Sequence, residues 1–108
     1  MNLAHSSADF VSKFSDLSRR LADIDVCTHT ADLHWGSFGS WTLLFTKRQE
    51  AIRFYYDGRD SYILVEASPM REWSSPNEWK ELATKGIDHE KDDAIAYVED
   101  FVRTRFSV

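Results

Sequence analysis

Apolar residues first recur at Phe10, Phe14, Leu17, Leu21 and Ile24, and steps of four, three, four and three put them on one helical stripe. Ser6 or Ser7 can cap the start, Asp9 suits the positive pole of the helix dipole, and Arg19 and Arg20 suit the other. The pattern predicts a helix over about 8–23. The period then changes. From Val26 to Trp35 it is irregular, with Thr28, Thr30 and Leu33 consistent with a strand or an edge segment. After the glycine-broken turn of residues 35–40, Trp41, Leu43 and Phe45 alternate with Thr42, Leu44 and Thr46, as a strand with one buried face requires. A polar turn at Lys47 to Glu50 leads to a second such strand, with Ile52, Phe54 and Tyr56 on one side and Arg53 and Tyr55 on the other. Asp57-Gly58 is a strong hairpin dipeptide, its glycine able to take the positive φ such turns need. A third strand follows over Tyr62 to Glu66, ended by Pro69.

Ser75-Pro76-Asn77-Glu78 reads as a capping box with Pro at the first helical position. It predicts a short helix over about 76–84, with Trp79, Leu82 and Ala83 on its apolar face and Gly86 as the stop. Asp88 is then placed to cap a last helix, on which Ala94, Tyr97, Val98, Phe101, Val102 and Arg105 share a face and Asp92, Asp93, Glu99 and Asp100 lie opposite. The expected architecture is one α+β domain over residues 1–108. An antiparallel meander of three to four strands packs against an N-terminal helix, a short helix and a C-terminal helix. Helices on one face leave the other for water or a partner, and Arg53, Tyr55, Ile63 and Val65 compete for it.

Charge sharpens this picture. The chain of 108 residues has a net charge of -5. Residues 1–54 are neutral in sum, so the second half carries all of it. Within Asp88 to Asp100, six carboxylates stand against the single Lys91, which equals the whole net charge. Such a block either steers a cationic protein partner or is a solvated helix face that maintains solubility. The acidic balance argues against nucleic acid, whose phosphates need clustered Lys and Arg. No apolar run is long enough to span a membrane. Met1 to Ser7 contain neither a basic residue nor an apolar block, so a secretory signal is not expected. Cys27 is the only cysteine, which excludes an internal disulfide and makes a reducing, cytoplasmic setting the expectation.

Candidate chemistry is sparse. His29, Asp32 and His34 form an H-x-x-D-x-H cluster, but on a regular strand His29 points away from the other two and no fourth ligand is evident. Cys27 beside His29 or His34 has the residue types of a thiol nucleophile and its base, yet Val26 and Thr28 suggest a half-buried, inert thiol. Asp57 and Asp60 are too close in sequence for a calcium loop. Gly36 and Gly39 form no phosphate-binding motif, and Ser37 and Ser40 no nucleophile elbow. No catalytic residue, cofactor or metal is therefore expected. Trp41 and Trp79 fit the core, whereas Trp35 and Trp73 fall in loops, where a tryptophan either lids the core or anchors a contact. His29, Asp32, His34, Tyr55 and Tyr62 are the polar groups that a small-ligand or enzyme reading would use.

In size, acidity and α+β layout, the stretch from Trp35 to Pro69 with the acidic C-terminal helix resembles small bacterial immunity proteins of polymorphic and contact-dependent toxin systems. The resemblance implies a cytoplasmic, non-catalytic inhibitor of a basic toxin domain. The acidic helix face of Asp92, Asp93, Glu99 and Asp100, with Trp35 and Trp73 as exposed aromatics, is the partner-binding surface proposed for such a role. A second likeness, to acidic secretion chaperones that usually dimerise, lacks the further strands those proteins carry before the last helix. A homodimer through the open sheet face or edge is the remaining expectation.

Overall fold

The computed structural model describes residues 3–34, 39–70, 78–88 and 92–106. Helix α1 (Leu3–Ala22) is followed by strands β1 (Cys27–His34), β2 (Ser40–Lys47), β3 (Glu50–Asp57), β4 (Tyr62–Pro69) and β5 (Lys80–Gly86), then helix α2 (Ala94–Phe106). The strands form one antiparallel sheet in the order β1-β2-β3-β4-β5. The α+β class and the antiparallel meander are thus as expected, with five strands and, among the described residues, two helices.

Register explains the layering. Leu43 pairs with Phe54 and Phe54 with Val65, while Trp41 pairs with Tyr56 and Tyr56 with Ile63. These residues share one face and are all buried. Against them α1 sets Phe14, Leu17 and Leu21, and α2 sets Ile95, Val98, Val102 and Phe106. Aromatic contacts knit the two layers: Trp41 lies 5.4 Å from Phe14 edge-on and stacks on Tyr56, and Phe54 meets both Phe45 and Phe101 edge-on. Ile63 and Val65 therefore belong to the core, each 0% exposed, and not to the second face. Alternation along β4 puts Tyr62, Leu64 and Glu66 there instead.

The expected short helix over 76–84 is replaced by β5. Its capping box lies partly outside the described residues, but Lys80–Gly86 is plainly a strand paired with β4. A helix of that length is marginal by itself, whereas the strand satisfies the outer edge of β4 with ladder hydrogen bonds. A bulge between Val65 and Glu66 lets both Leu82 and Ala83 pack against the core cluster. Trp79 is displaced with it: it is half-buried and sits over the Arg53 guanidinium, 4.0 Å away, on the opposite side from the core.

Two turns also differ in mechanism from expectation. The β3–β4 turn does not depend on a left-handed Gly58; the positive φ falls on Ser61 (54°), and the Asp57 carboxylate accepts hydrogen bonds from the backbone N–H groups of Arg59 and Asp60. At the other end, Asp93 caps α2, its Oδ1 accepting from the Ala96 N–H at 3.0 Å. Asp88, expected in that role, instead pairs with Asp92, its N–H donating to Asp92 Oδ2 and its carbonyl accepting from the Asp92 N–H.

Candidate functional site

The four acidic residues expected to form one surface divide into different roles. Glu99 turns toward α1. Arg20 donates through Nε to both Glu99 oxygens (3.0 and 3.2 Å), and Arg103 through its Nε to Oε2 (3.0 Å). The Glu99 side chain is only 18% exposed. The Arg20 hydrogen bond, joined by Arg103 and opposed by partial burial, holds its carboxyl below the usual carboxylate range. This carboxylate clasps α1 to α2. Asp92 and Asp93 are exposed but each accepts a backbone hydrogen bond at the start of α2, and Asp100 is exposed.

Helical spacing puts Asp93, Tyr97, Asp100, Phe101 and Thr104 along the side of α2 away from α1. Tyr97 and Phe101, expected on one face with Val98 and Val102, are half-buried there, with ring centroids 6.0 Å apart. Among the described residues Tyr97, Asp100, Phe101, Thr104 and Arg105 line an open recess of about 550 Å³. Lys85 of β5 reaches over Tyr97, 5.4 Å from the ring centre. Arg105 is tied down by Glu50 through two hydrogen bonds of 2.8 and 3.0 Å. The site is thus an aromatic floor with the exposed Asp100 carboxylate on its rim. A signal for it existed in the sequence. Helix α2 carries two apolar stripes, Ile95-Val98-Val102-Phe106 and Ala94-Tyr97-Phe101, and the first alone faces the core centre.

Comparison with protein-family models, curated proteins and solved structures found no match to this chain.

The other candidates are placed as follows. Trp35 and Trp73 lie outside the described residues. Cys27 is exposed on the edge strand β1, not half-buried. A bulge between Thr28 and Thr30 sets His29 out of the regular alternation, Asp32 pairs with Thr42, and His34 pairs with Ser40 through its backbone. Among the described residues no three His, Cys, Asp or Glu side chains converge for a metal. Ser40 is buried, and its hydroxyl accepts the Gly58 N–H. Tyr55 and Tyr62 lie on the helix-free sheet face, where burial, and after it Asp57, raises the Tyr62 pKa. A second recess, of about 290 Å³, opens beside the Glu50–Arg105 pair and includes Ser68, Glu78 and Lys80. No helix is long and apolar enough to cross a membrane among the described residues.

Proposed function

We propose that this chain is a non-catalytic protein-binding module of the immunity type, which blocks a basic toxin domain by covering it with the outward side of α2. The observation that carries this reading is the juxtaposition of the Tyr97–Phe101 floor with the exposed Asp100 carboxylate at a recess of about 550 Å³. Half-buried aromatics beside the Asp100 carboxylate suit a partner whose Lys or Arg, flanked by apolar groups, displaces Lys85 from the Tyr97 ring. Asp92 and Asp93 extend the negative field toward the start of the helix. Glu99 is assigned to the fold, because both its oxygens are engaged by arginines. In such a complex the carboxylates speed encounter, and the desolvated aromatics set residence time.

The test uses the product of a basic toxin reading frame adjacent to this gene, with binding followed by surface kinetics and toxin activity measured alongside. The D92N/D93N/D100N variant keeps an Asn cap on α2. Its association rate at low salt is expected to fall about tenfold with little change in dissociation, and salt at about 0.3 M should do the same to the unaltered protein. Tyr97→Ala should act on dissociation instead. An association rate indifferent to both salt and the triple substitution rejects this face. The small-ligand alternative would use the recess beside Glu50 and Arg105; a metabolite raising the melting temperature, with loss of that effect in Lys80→Ala, would favour it.

A further inference from the structure

Strand β5 brings a cation to the aromatic floor of α2. Lys85 pairs with Ile63, a core residue on the helix side of the sheet, so the Lys85 side chain leaves its strand the same way. Its ammonium comes to rest 5.4 Å from the centre of the Tyr97 ring. Tyr97 lines the recess together with Asp100 and Phe101. Asp100 follows Tyr97 by one helical turn, a spacing that sets Cβ atoms roughly 5–6 Å apart. Among the described residues no ion pair engages either Lys85 or Asp100. The floor thus holds a cation that does not reach the carboxylate, and the carboxylate holds none.

We infer that the partner side chain received by this recess is an arginine, which displaces Lys85 from Tyr97 and pairs with Asp100. The inference rests on the outward side of α2 being the binding surface. Exchange decides the residue. An incoming lysine puts one ammonium where another already sits, and Lys85 is tethered by the sheet, so the newcomer competes against a high local concentration. A guanidinium gains where an ammonium does not. It lies flat on the ring while turning two N–H groups to one carboxylate, and its weaker hydration lowers the cost of leaving water. Lys85 is accordingly a specificity-determining residue, which admits arginine and turns lysine away. Once displaced, its ammonium returns to water on an exposed stretch of β5, and little is lost.

Two peptides, acetyl-Leu-Arg-Leu-amide and acetyl-Leu-Lys-Leu-amide, test the recess without any toxin. Each is titrated into the whole chain at low salt and followed through the backbone amide shifts of α2 by NMR. The arginine peptide is expected to bind about fivefold more tightly than the lysine peptide. Lys85→Met should bring the two to within about twofold of each other, by strengthening the lysine peptide. Lys80→Met removes the same charge from the other end of β5 and should leave the ratio as it was, which separates exchange from a general gain in negative field. Asp100→Asn should weaken the arginine peptide about threefold. Equal affinities in the unaltered protein overturn the inference. So does an arginine advantage that Lys85→Met leaves intact, or a set of α2 amides that neither peptide shifts. None of these outcomes depends on the toxin kinetics, so the immunity reading stands or falls separately.

Discussion

Replacing Phe54 with alanine is expected to destabilise the protein by about 3–5 kcal/mol, enough to leave much of it unfolded at ordinary temperatures. Phe54 is 0% exposed on the middle strand of the sheet. Its ring touches Phe45 on the neighbouring strand and Phe101 on α2, both edge-on, so truncation opens a hole between the layers. The ring pairs add to the area term. The surrounding strands cannot collapse into the gap without losing register, which places the cost in the upper part of the range for such changes. Chemical denaturation with linear extrapolation checks it: the midpoint should fall sharply with little change in slope. A loss under about 1 kcal/mol would mean that the α2–sheet packing is not as described.

The second large effect belongs to Glu99. Glu99→Gln removes the negative partner of two arginines and leaves both beside a neutral amide. Arg20 and Arg103 are 45% and 41% exposed, so solvent screens each pair and the joint cost is about 1 kcal/mol, near 5 °C in melting temperature for a chain of this size. Its pH dependence is distinctive. The folded carboxyl lies below its ordinary value of 4.5. Its contribution is therefore complete above that pH and is lost as the pH falls through the folded value. The melting temperatures of the native protein and the Glu99→Gln variant should differ at pH 7 and converge as the pH falls below the ordinary carboxylate range. A constant difference across that interval would show that the clasp is not electrostatic.

How legible these features were depends on how local their causes are. The stripe from Phe10 to Leu21 and the alternation in Trp41–Phe45 and Ile52–Tyr56 each need only one element and one buried face, and all three turn to the core as expected, although the first helix begins at Leu3, so Ser6 and Ser7 lie within it rather than ahead of it. The apolar run of β4 is harder. Ile63, Leu64 and Val65 are all hydrophobic, so alternation alone cannot say which side is inward; pairing with Tyr56 and Phe54 decides it. Strand β5 was hidden for a different reason. Lys80–Gly86 has only Leu82 and Ala83 as apolar residues, and it becomes a strand because β4 offers an edge. No pattern within that segment encodes this. The Arg20–Glu99 contact, joining positions 79 apart, has no sequence signal at all. For the candidate site, the acidic residues were visible as a block, but only helix packing separates the clasping Glu99 from the solvent-facing Asp100, and leaves Tyr97 and Phe101 half-buried as the floor of a recess.

Every strand neighbours the one before it, so the sheet can zip together hairpin by hairpin, three of its four steps closing loops of two to five residues and the last one of ten. Such a topology folds quickly for a β-rich chain. The Arg20–Glu99 clasp joins positions 79 apart on the first and last helices, so it is expected to close after the rate-limiting barrier. Losing that clasp should consequently hasten unfolding and leave the refolding rate almost untouched.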